Sequence, residues 1–148
     1  MTSVLDNINV GQRNGSNLDE TDKGLWGGLI ILGDAPISAN ASTSLIEGLP
    51  ANEPWAEYGG SNPTDNSGTI TYMSVRHGGT LIGDGNEING ITFGGVGSGT
   101  TIDHIEVFAT LDDGVEFFGG TVNVSNVSVT AQGDDGFDID QAYSGTID

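Results

Sequence analysis

The chain repeats itself at a spacing that few folds can accommodate. Ile102-Asp103-His104-Ile105-Glu106-Val107 lies over Val124-Ser125-Asn126-Val127-Ser128-Val129 at an offset of 22, and at the same offset Asp112-Asp113-Gly114-Val115-Glu116-Phe117 lies over Asp134-Asp135-Gly136-Phe137-Asp138-Ile139. Apolar residues fall on apolar, glycine on glycine and acid on acid. Ile70-Thr71-Tyr72-Met73-Ser74-Val75 fits the first half of the unit at offset 32, and Asn89-Gly90-Ile91-Thr92-Phe93 fits the second half at offset 24. Gly28-Leu29-Ile30-Ile31 reads as a further copy of the second half. Each unit thus holds two short strands with turns of variable length. Gly120-Thr121-Val122-Asn123, echoed by Gly145-Thr146-Ile147-Asp148, reads as a third strand. Short strands bounded by Gly, Asn and Asp, recurring near 22 residues, predict an all-β chain folded as a right-handed parallel β-helix, a solenoid of about 22 residues per coil. Coils would stack at about 4.8 Å, with Ile, Val and Phe columns inward and Thr, Ser, Asn and Asp outward. A leucine-rich repeat would need a Leu/Asn signature that is absent, and an immunoglobulin-like sandwich would not match acids to acids.

The 148 residues are one solenoid segment in this reading, interrupted by a non-repeating insertion at 39–67 that carries Pro50, Pro54, Trp55, Tyr58 and Pro63. The insertion either packs over a face or an end of the stack or is a binding loop, with Trp55 and Tyr58 as rings for a glycan or cell-surface partner. Strand-like sequence at both ends reads as a piece of a longer solenoid with open edges, and hence as a tendency to self-associate head to tail. Composition removes other classes. Three Lys and Arg against 21 Asp and Glu give a net charge of −18, which excludes binding nucleic acid through its phosphates. The longest apolar run, Leu29 to Leu32, is far short of a membrane span. There is no cysteine for a disulfide framework or thiolate chemistry.

The acidic stack is the sharpest chemical feature. The offset puts Asp112 over Asp134, Asp113 over Asp135 and Glu116 over Asp138, and Asp140 alternates to the same face as Asp138. Stacked like charges destabilise a ladder, so either a carboxyl keeps its proton or a cation sits between them. Calcium accepts six to eight oxygens from such flexible carboxylate and carbonyl sets. Asp112, Asp113, Asp134, Asp135 and Asp138 are therefore the candidate Ca²⁺ ligands. The competing reading is a run of solvated turns in which each Asp caps its own backbone and Gly takes positive φ. A third reading assigns Glu116, Asp138 and Asp140 to glycosidase or lyase chemistry, because paired carboxylates about 5 Å apart suit a retaining glycosidase. Rung spacing alone gives that distance, the Gly-His-Gly and Arg-x-Lys motifs of polygalacturonase-like helices are missing, and Arg13, Lys23 and Arg76 have no evident partner as lyase bases.

His77 and His104 map to different positions of the repeat and read as turn or surface residues, with His104 outward. Gly94-Gly95-Val96-Gly97-Ser98-Gly99 lacks the Lys and the following helix of a phosphate loop. Thr69, Thr71, Thr100 and Thr101 do not continue as a Thr face into the next unit, where Val122 and Val124 stand.

Four segments together carry a family resemblance: GLWGGLIILGDAPI at 24–37, NEINGITFGGVGSGTTIDHIEV at 86–107, DDGVEFFGG at 112–120 and GDDGFDID at 133–140. The sequence resembles a family of secreted or lipid-anchored bacterial proteins with a right-handed parallel β-helix fold, some with a type IX secretion tail. The resemblance covers nearly the whole chain. It implies export to the cell envelope and further coils upstream, which fits Thr2-Ser3 as a cut point. It implies no activity, so function is argued from sites. The expectation is a secreted or cell-surface structural or adhesive module, stiffened by Ca²⁺; a carbohydrate-binding or carbohydrate-active helix is the alternative.

Overall fold

The computed structural model describes residues 1–50, 52–83 and 86–148, so residue 51 of the insertion lies outside the described part. The strands are β1 (Leu29–Leu32), β2 (Ser44–Leu45), β3 (Glu57–Tyr58), β4 (Thr69–Arg76), β5 (Thr80–Gly83), β6 (Asn86–Ile88), β7 (Ile91–Gly94), β8 (Thr101–Phe108), β9 (Val115–Phe118), β10 (Asn123–Thr130) and β11 (Phe137–Asp140). A single 3₁₀ turn at Pro54–Ala56 is the one helical element among the described residues.

The repeats become two parallel sheets, ordered β1-β7-β9-β11 and β10-β8-β4. Their registers are those of the sequence offsets: Ile70 pairs with Ile102 and Val124 with Ile102, Ile91 with Val115, and Val115 with Phe137. Leu29 pairs with Ile91, so the segment around Leu29 is a copy of the second half. Alternation then sorts the side chains. On one face of the four-stranded sheet run the columns Leu29-Ile91-Val115-Phe137 and Ile31-Phe93-Phe117-Ile139. Leu29, Ile31, Ile91, Phe93, Val115 and Phe117 of these columns meet Ile102, Ile105, Val107, Val75 and Val124 of the other sheet in one cluster, while Phe137 and Ile139 on β11 stay exposed. Phe93 and Phe117 stack at 5.3 Å between ring centroids, and Tyr143 lies 4.4 Å from Phe117.

Both corners of the long strands are built from left-handed residues, none of them glycine. Tyr72, His104 and Asn126 interrupt β4, β8 and β10 at φ of 54°, 53° and 54°, and His77, Ala109 and Ala131 follow the same strands at 58°, 56° and 59°. A left-handed L-residue costs roughly 1–2 kcal/mol. The cost recurs at every rung because the neighbouring rungs hold the corner in register, with His77 N–H donating to the Phe108 carbonyl and Ala109 N–H to that of Thr130.

The third strand expected at 120–123 is not formed as such. Ile147 pairs in parallel with Val124, and Thr146 accepts the Val124 N–H, so residues 145–148 begin the next copy of the long strand rather than echoing 120–123. The two stretches look alike because both approach the same sheet, where Asn123 Oδ1 receives the Thr146 N–H.

The insertion covers the opposite face of the four-stranded sheet. That face carries Ile30 and Leu32 on β1 and Phe118 on β9, and they pack with Ile46, Ala56 and Tyr58 of the insertion in a second apolar cluster. The antiparallel pair β2-β3 holds this cover together.

Candidate functional site

Beside Ile30 on the covered face, the same register continues as Thr92, Glu116 and Asp138. Glu116 is only 7% exposed. Burial pushes its carboxyl up to about 8, with repulsion from Glu47, Asp113 and Asp138 adding to it and the hydrogen bond from Asn89 opposing it. Asn89 Nδ2 donates to that carboxylate. Asn89 is itself 2% exposed, and its Oδ1 has no hydrogen-bond partner. Glu47, an exposed residue of the insertion, is held above the usual carboxyl range by partial desolvation and then by the charges of Asp113, Asp140 and Asp138.

The turns leading into this sheet stack as tightly as the strands. Gly90 N–H donates to the Asp113 carbonyl, and Gly114 N–H to that of Asp135. A Cβ on Gly114 would lie 2.2 Å from Val129 Cγ1 and 2.8 Å from the Gly136 carbonyl, so glycine is required here by close approach. This corrects the expected turn chemistry. Gly114 is not in the left-handed region, and Asp113 does not cap its own turn. Its Oδ1 accepts the N–H of Asp135, one rung away, at 2.9 Å.

The candidate metal ligands separate into two groups that share Asp113. Carboxylate oxygens of Asp112, Asp113 and Asp134 lie within 4.8 Å of one another, as do those of Asp113, Glu116 and Asp138. Asp113 is 8% exposed, and burial raises its carboxyl while the Asp135 N–H lowers it. Asp112 is pushed up to about 7 by desolvation first, then by Asp113, Glu87 and Asp134. Asp135 lends its backbone, and its carboxylate belongs to neither group. Asp140 continues the outer face beyond Asp138, beside an open depression lined by Ser38, Thr43, Ser44 and Gln141.

The two rings of the insertion part company. Trp55 is 61% exposed, with its indole N–H on Glu53 at 2.7 Å. Tyr58 is 3% exposed, packs its ring against Phe118 at 6.1 Å and takes a hydrogen bond from Gln141 on its hydroxyl at 2.8 Å. Tyr58 is thus a core residue of the cover and not a surface ring, because the apolar outer face beneath it needs burying.

His77 is buried at a corner with Nδ1 2.6 Å from the Asp22 carbonyl, whereas His104 is outward, stacked on Tyr72 at 4.5 Å and paired with Asp103 at 2.8 Å. Arg76 pairs with Glu106 at 3.1 Å, and Lys23 donates to the Gln132 carbonyl at 2.9 Å. Among the described residues no Lys or Arg forms an ion pair with the acidic cluster.

Asn89, Thr92 and Glu47 were not marked by sequence reasoning. Asn89 had a signal, since offset 24 places it on Asp113. Glu47 had none, since the insertion does not repeat.

The sequence model of the pectate-lyase-like β-helix domain matches residues 15–148. No curated protein and no solved structure matches the chain. No helix among the described residues is long and apolar enough to cross a membrane. With parallel sheets in the registers of its repeats and a match over nearly its whole length, the chain belongs to the family of pectate-lyase-like β-helix domains.

Proposed function

We propose that this chain is a structural or adhesive module of an exported cell-surface protein, a right-handed solenoid of about 22 residues per coil stiffened by calcium in its acidic column. The observation that carries the reading is the cover. The insertion packs over Ile30, Leu32 and Phe118 on the outer face, and Glu116 beside them is only 7% exposed, so Glu116 is not open to a polymer lying on that face. Lyase chemistry would also need a base beside these acids, and Arg76 and Lys23 are engaged elsewhere. The test is incubation with a panel of neutral and acidic polysaccharides, reading reducing ends and unsaturated products. The structural reading expects no product. Release abolished by Asp138→Asn in a folded protein would instead establish the carbohydrate-active reading of Glu116, Asp138 and Asp140.

Carbohydrate binding without cleavage is the second reading, favoured by Trp55. An indole 61% exposed beside Pro54 is a platform of the kind that apolar sugar faces pack on. Retention on an immobilised glycan that is lost in Trp55→Ala supports it. Equal retention of the two proteins removes Trp55 from the binding surface.

A further inference from the structure

We propose that the insertion and the end of β11 form a saccharide groove, two adjoining depressions divided by Thr43, and that its ligand is a neutral glycan. The inference rests on the carbohydrate-binding reading above and gives that reading a site and a class of sugar.

The first depression, about 510 Å³, lies between the end of β1 and the insertion, with Leu32, Asp34, Pro54, Glu57 and Asp65 on its walls. The second, about 490 Å³, lies where Ser38, Asn40 and Ser44 meet Asp140 and Gln141 at the end of β11. Thr43 lines both, so the two adjoin. Either is within the roughly 300–1,000 Å³ typical of small-ligand sites. Trp55, which follows Pro54 in the 3₁₀ turn, is largely in solvent. An exposed ring takes the C–H face of a sugar, and hydroxyl, amide and carboxylate groups take its hydroxyls.

The corner of β11 departs from its repeat at this place. Asp140 pairs with Phe118, so Gln141 and Ala142 stand one rung from Gly119 and Gly120. All four are left-handed, at φ of 48°, 58°, 65° and 82°. Glycine takes that conformation freely, and an L-residue does so under strain. The inner rung has no alternative to glycine, because a Cβ on Gly119 would lie 2.7 Å from Ile37 Cγ2. The last rung carries glutamine and bears the strain. Its amide Nε2 donates to the Tyr58 hydroxyl at 2.8 Å, and its backbone carbonyl takes the Ser38 N–H at 3.0 Å. The two sides of the second depression are thereby fixed before a ligand arrives, which lowers the ordering cost of binding. Strained residues held by their surroundings cluster at ligand clamps.

Charge and lining select the class. Asp34, Glu57 and Asp65 line the first depression and Asp140 the second, and among the described residues no Lys or Arg lines either. A polyuronate, with a carboxylate on each sugar, meets repulsion along the whole groove, added to that of a chain with net charge −18. The pectate in the family's description is therefore the wrong polymer for this groove. A peptide is disfavoured as well, since the largest apolar side chain lining the second depression is that of alanine, which leaves little to bury a peptide side chain against. The hydroxyls of a neutral sugar can donate to Asp140 and both donate to and accept from the amide of Asn40.

The experiment measures retention of the full chain, in chelator and at physiological salt, on cellulose, β-1,3-glucan, mannan, chitin and polygalacturonate. The proteins are the parent, Asn40→Ala, Asp140→Ala, Trp55→Ala and, as a control, Tyr72→Ala, an exposed ring on the other sheet. Asn40 and Asp140 are exposed, so both groove variants are expected to fold, and thermal melts check that they do. The parent should be retained on at least one neutral glycan and not on polygalacturonate. Asn40→Ala and Asp140→Ala should each weaken retention about three- to tenfold, the loss of one hydrogen bond. Tyr72→Ala should leave it unchanged. Retention lost in Trp55→Ala but unchanged in Asn40→Ala and Asp140→Ala overturns the groove while leaving the carbohydrate-binding reading in place. Retention on polygalacturonate overturns the class of sugar. No retention on any polysaccharide overturns both the groove and the reading it rests on.

Discussion

Replacing Glu116 by Gln should stabilise the metal-free protein near neutral pH, the reverse of what most buried substitutions do. The carboxyl titrates at about 8 in the folded chain against 4.5 for an ordinary Glu. Below pH 4.5 both folded and unfolded states hold the proton, and the site carries no penalty. As the pH rises from there the unfolded chain ionises first, so stability falls until the folded carboxyl also ionises near pH 8, and the loss then levels off. At pH 7 the gap is about 2.5 pH units, which at 1.36 kcal/mol per unit is about 3 kcal/mol at most. Gln keeps the size of the side chain and an oxygen for the Asn89 N–H, so it removes the charge and little else. Some of the penalty will be relieved by water and local rearrangement, leaving about 2 kcal/mol, or roughly 4–8 °C in melting temperature for a chain of this size. The assay is a pair of thermal melts in chelator, variant against parent, at pH 7.5 and at pH 4. The advantage of the variant should be largest at pH 7.5 and vanish at pH 4. A variant less stable than its parent by the same amount at both pH values would mean that Glu116 contributes through packing and hydrogen bonding, and the argument from buried charge would be wrong.

Three further outcomes follow from the same contacts. Gly114→Ala should cost roughly 1–3 kcal/mol in urea unfolding, because its Cβ would overlap Val129 of the sheet and the carbonyl of Gly136 in the adjoining turn; an unchanged midpoint would show that the turns have room to part. Phe117→Ala should cost about 3–5 kcal/mol by removing a ring that stacks between Phe93 and Tyr143; a loss under about 1 kcal/mol would mean the core refills the space. Phe137 and Ile139 are 38% and 54% exposed although their partners one rung in, Val115 and Phe117, are 2% and 0% exposed. A second copy stacked on β11 would cover them, so light scattering should show concentration-dependent association that Ile139→Ser reduces, and a monomer at every concentration would refute head-to-tail stacking.

How much was legible depended on whether the residues repeat. The registers of β4, β8 and β10 and of β7, β9 and β11 follow from offsets of 32, 22, 24 and 22, because a parallel ladder must place like side chains over like. The stacking of Glu116 on Asp138 came from the same arithmetic. What the offsets could not give is environment. The alternation that marks Thr92, Glu116 and Asp138 as outward says nothing of what lies outside, and there it is the insertion. Tyr58 shows the same limit: an aromatic in a loop is a surface ring or a core ring depending on the face it meets, and it meets Phe118. The left-handed corners were hidden because Tyr72, His104 and Asn126 share a conformation without sharing a chemistry.

The cover also explains why the chemistry concentrates where it does. A parallel sheet with polar outer columns tolerates stacked acids as long as water screens them, since two carboxylates about 5 Å apart repel by only about 1 kcal/mol in bulk solvent. Roofing one outer face with Ile46, Ala56 and Tyr58 removes that screening for the rungs beneath, while the repeat register still forces Glu116 against Asp138. The molecule can offset the resulting repulsion with a retained proton, at the pH-dependent cost worked out above, or with a bound cation. These two solutions have opposite dependences. Ionised ligands favour the cation as pH rises, and a retained proton favours the empty site as pH falls. The charge that crosses the boundary is that of Glu47 on the cover and Glu116 on the sheet, each raised by the other or by its neighbours, so raising the pH from 5 to 8 in chelator should speed proteolysis within 39–67 as both carboxyls ionise, and an unchanged rate would show that the cover does not feel the buried charge.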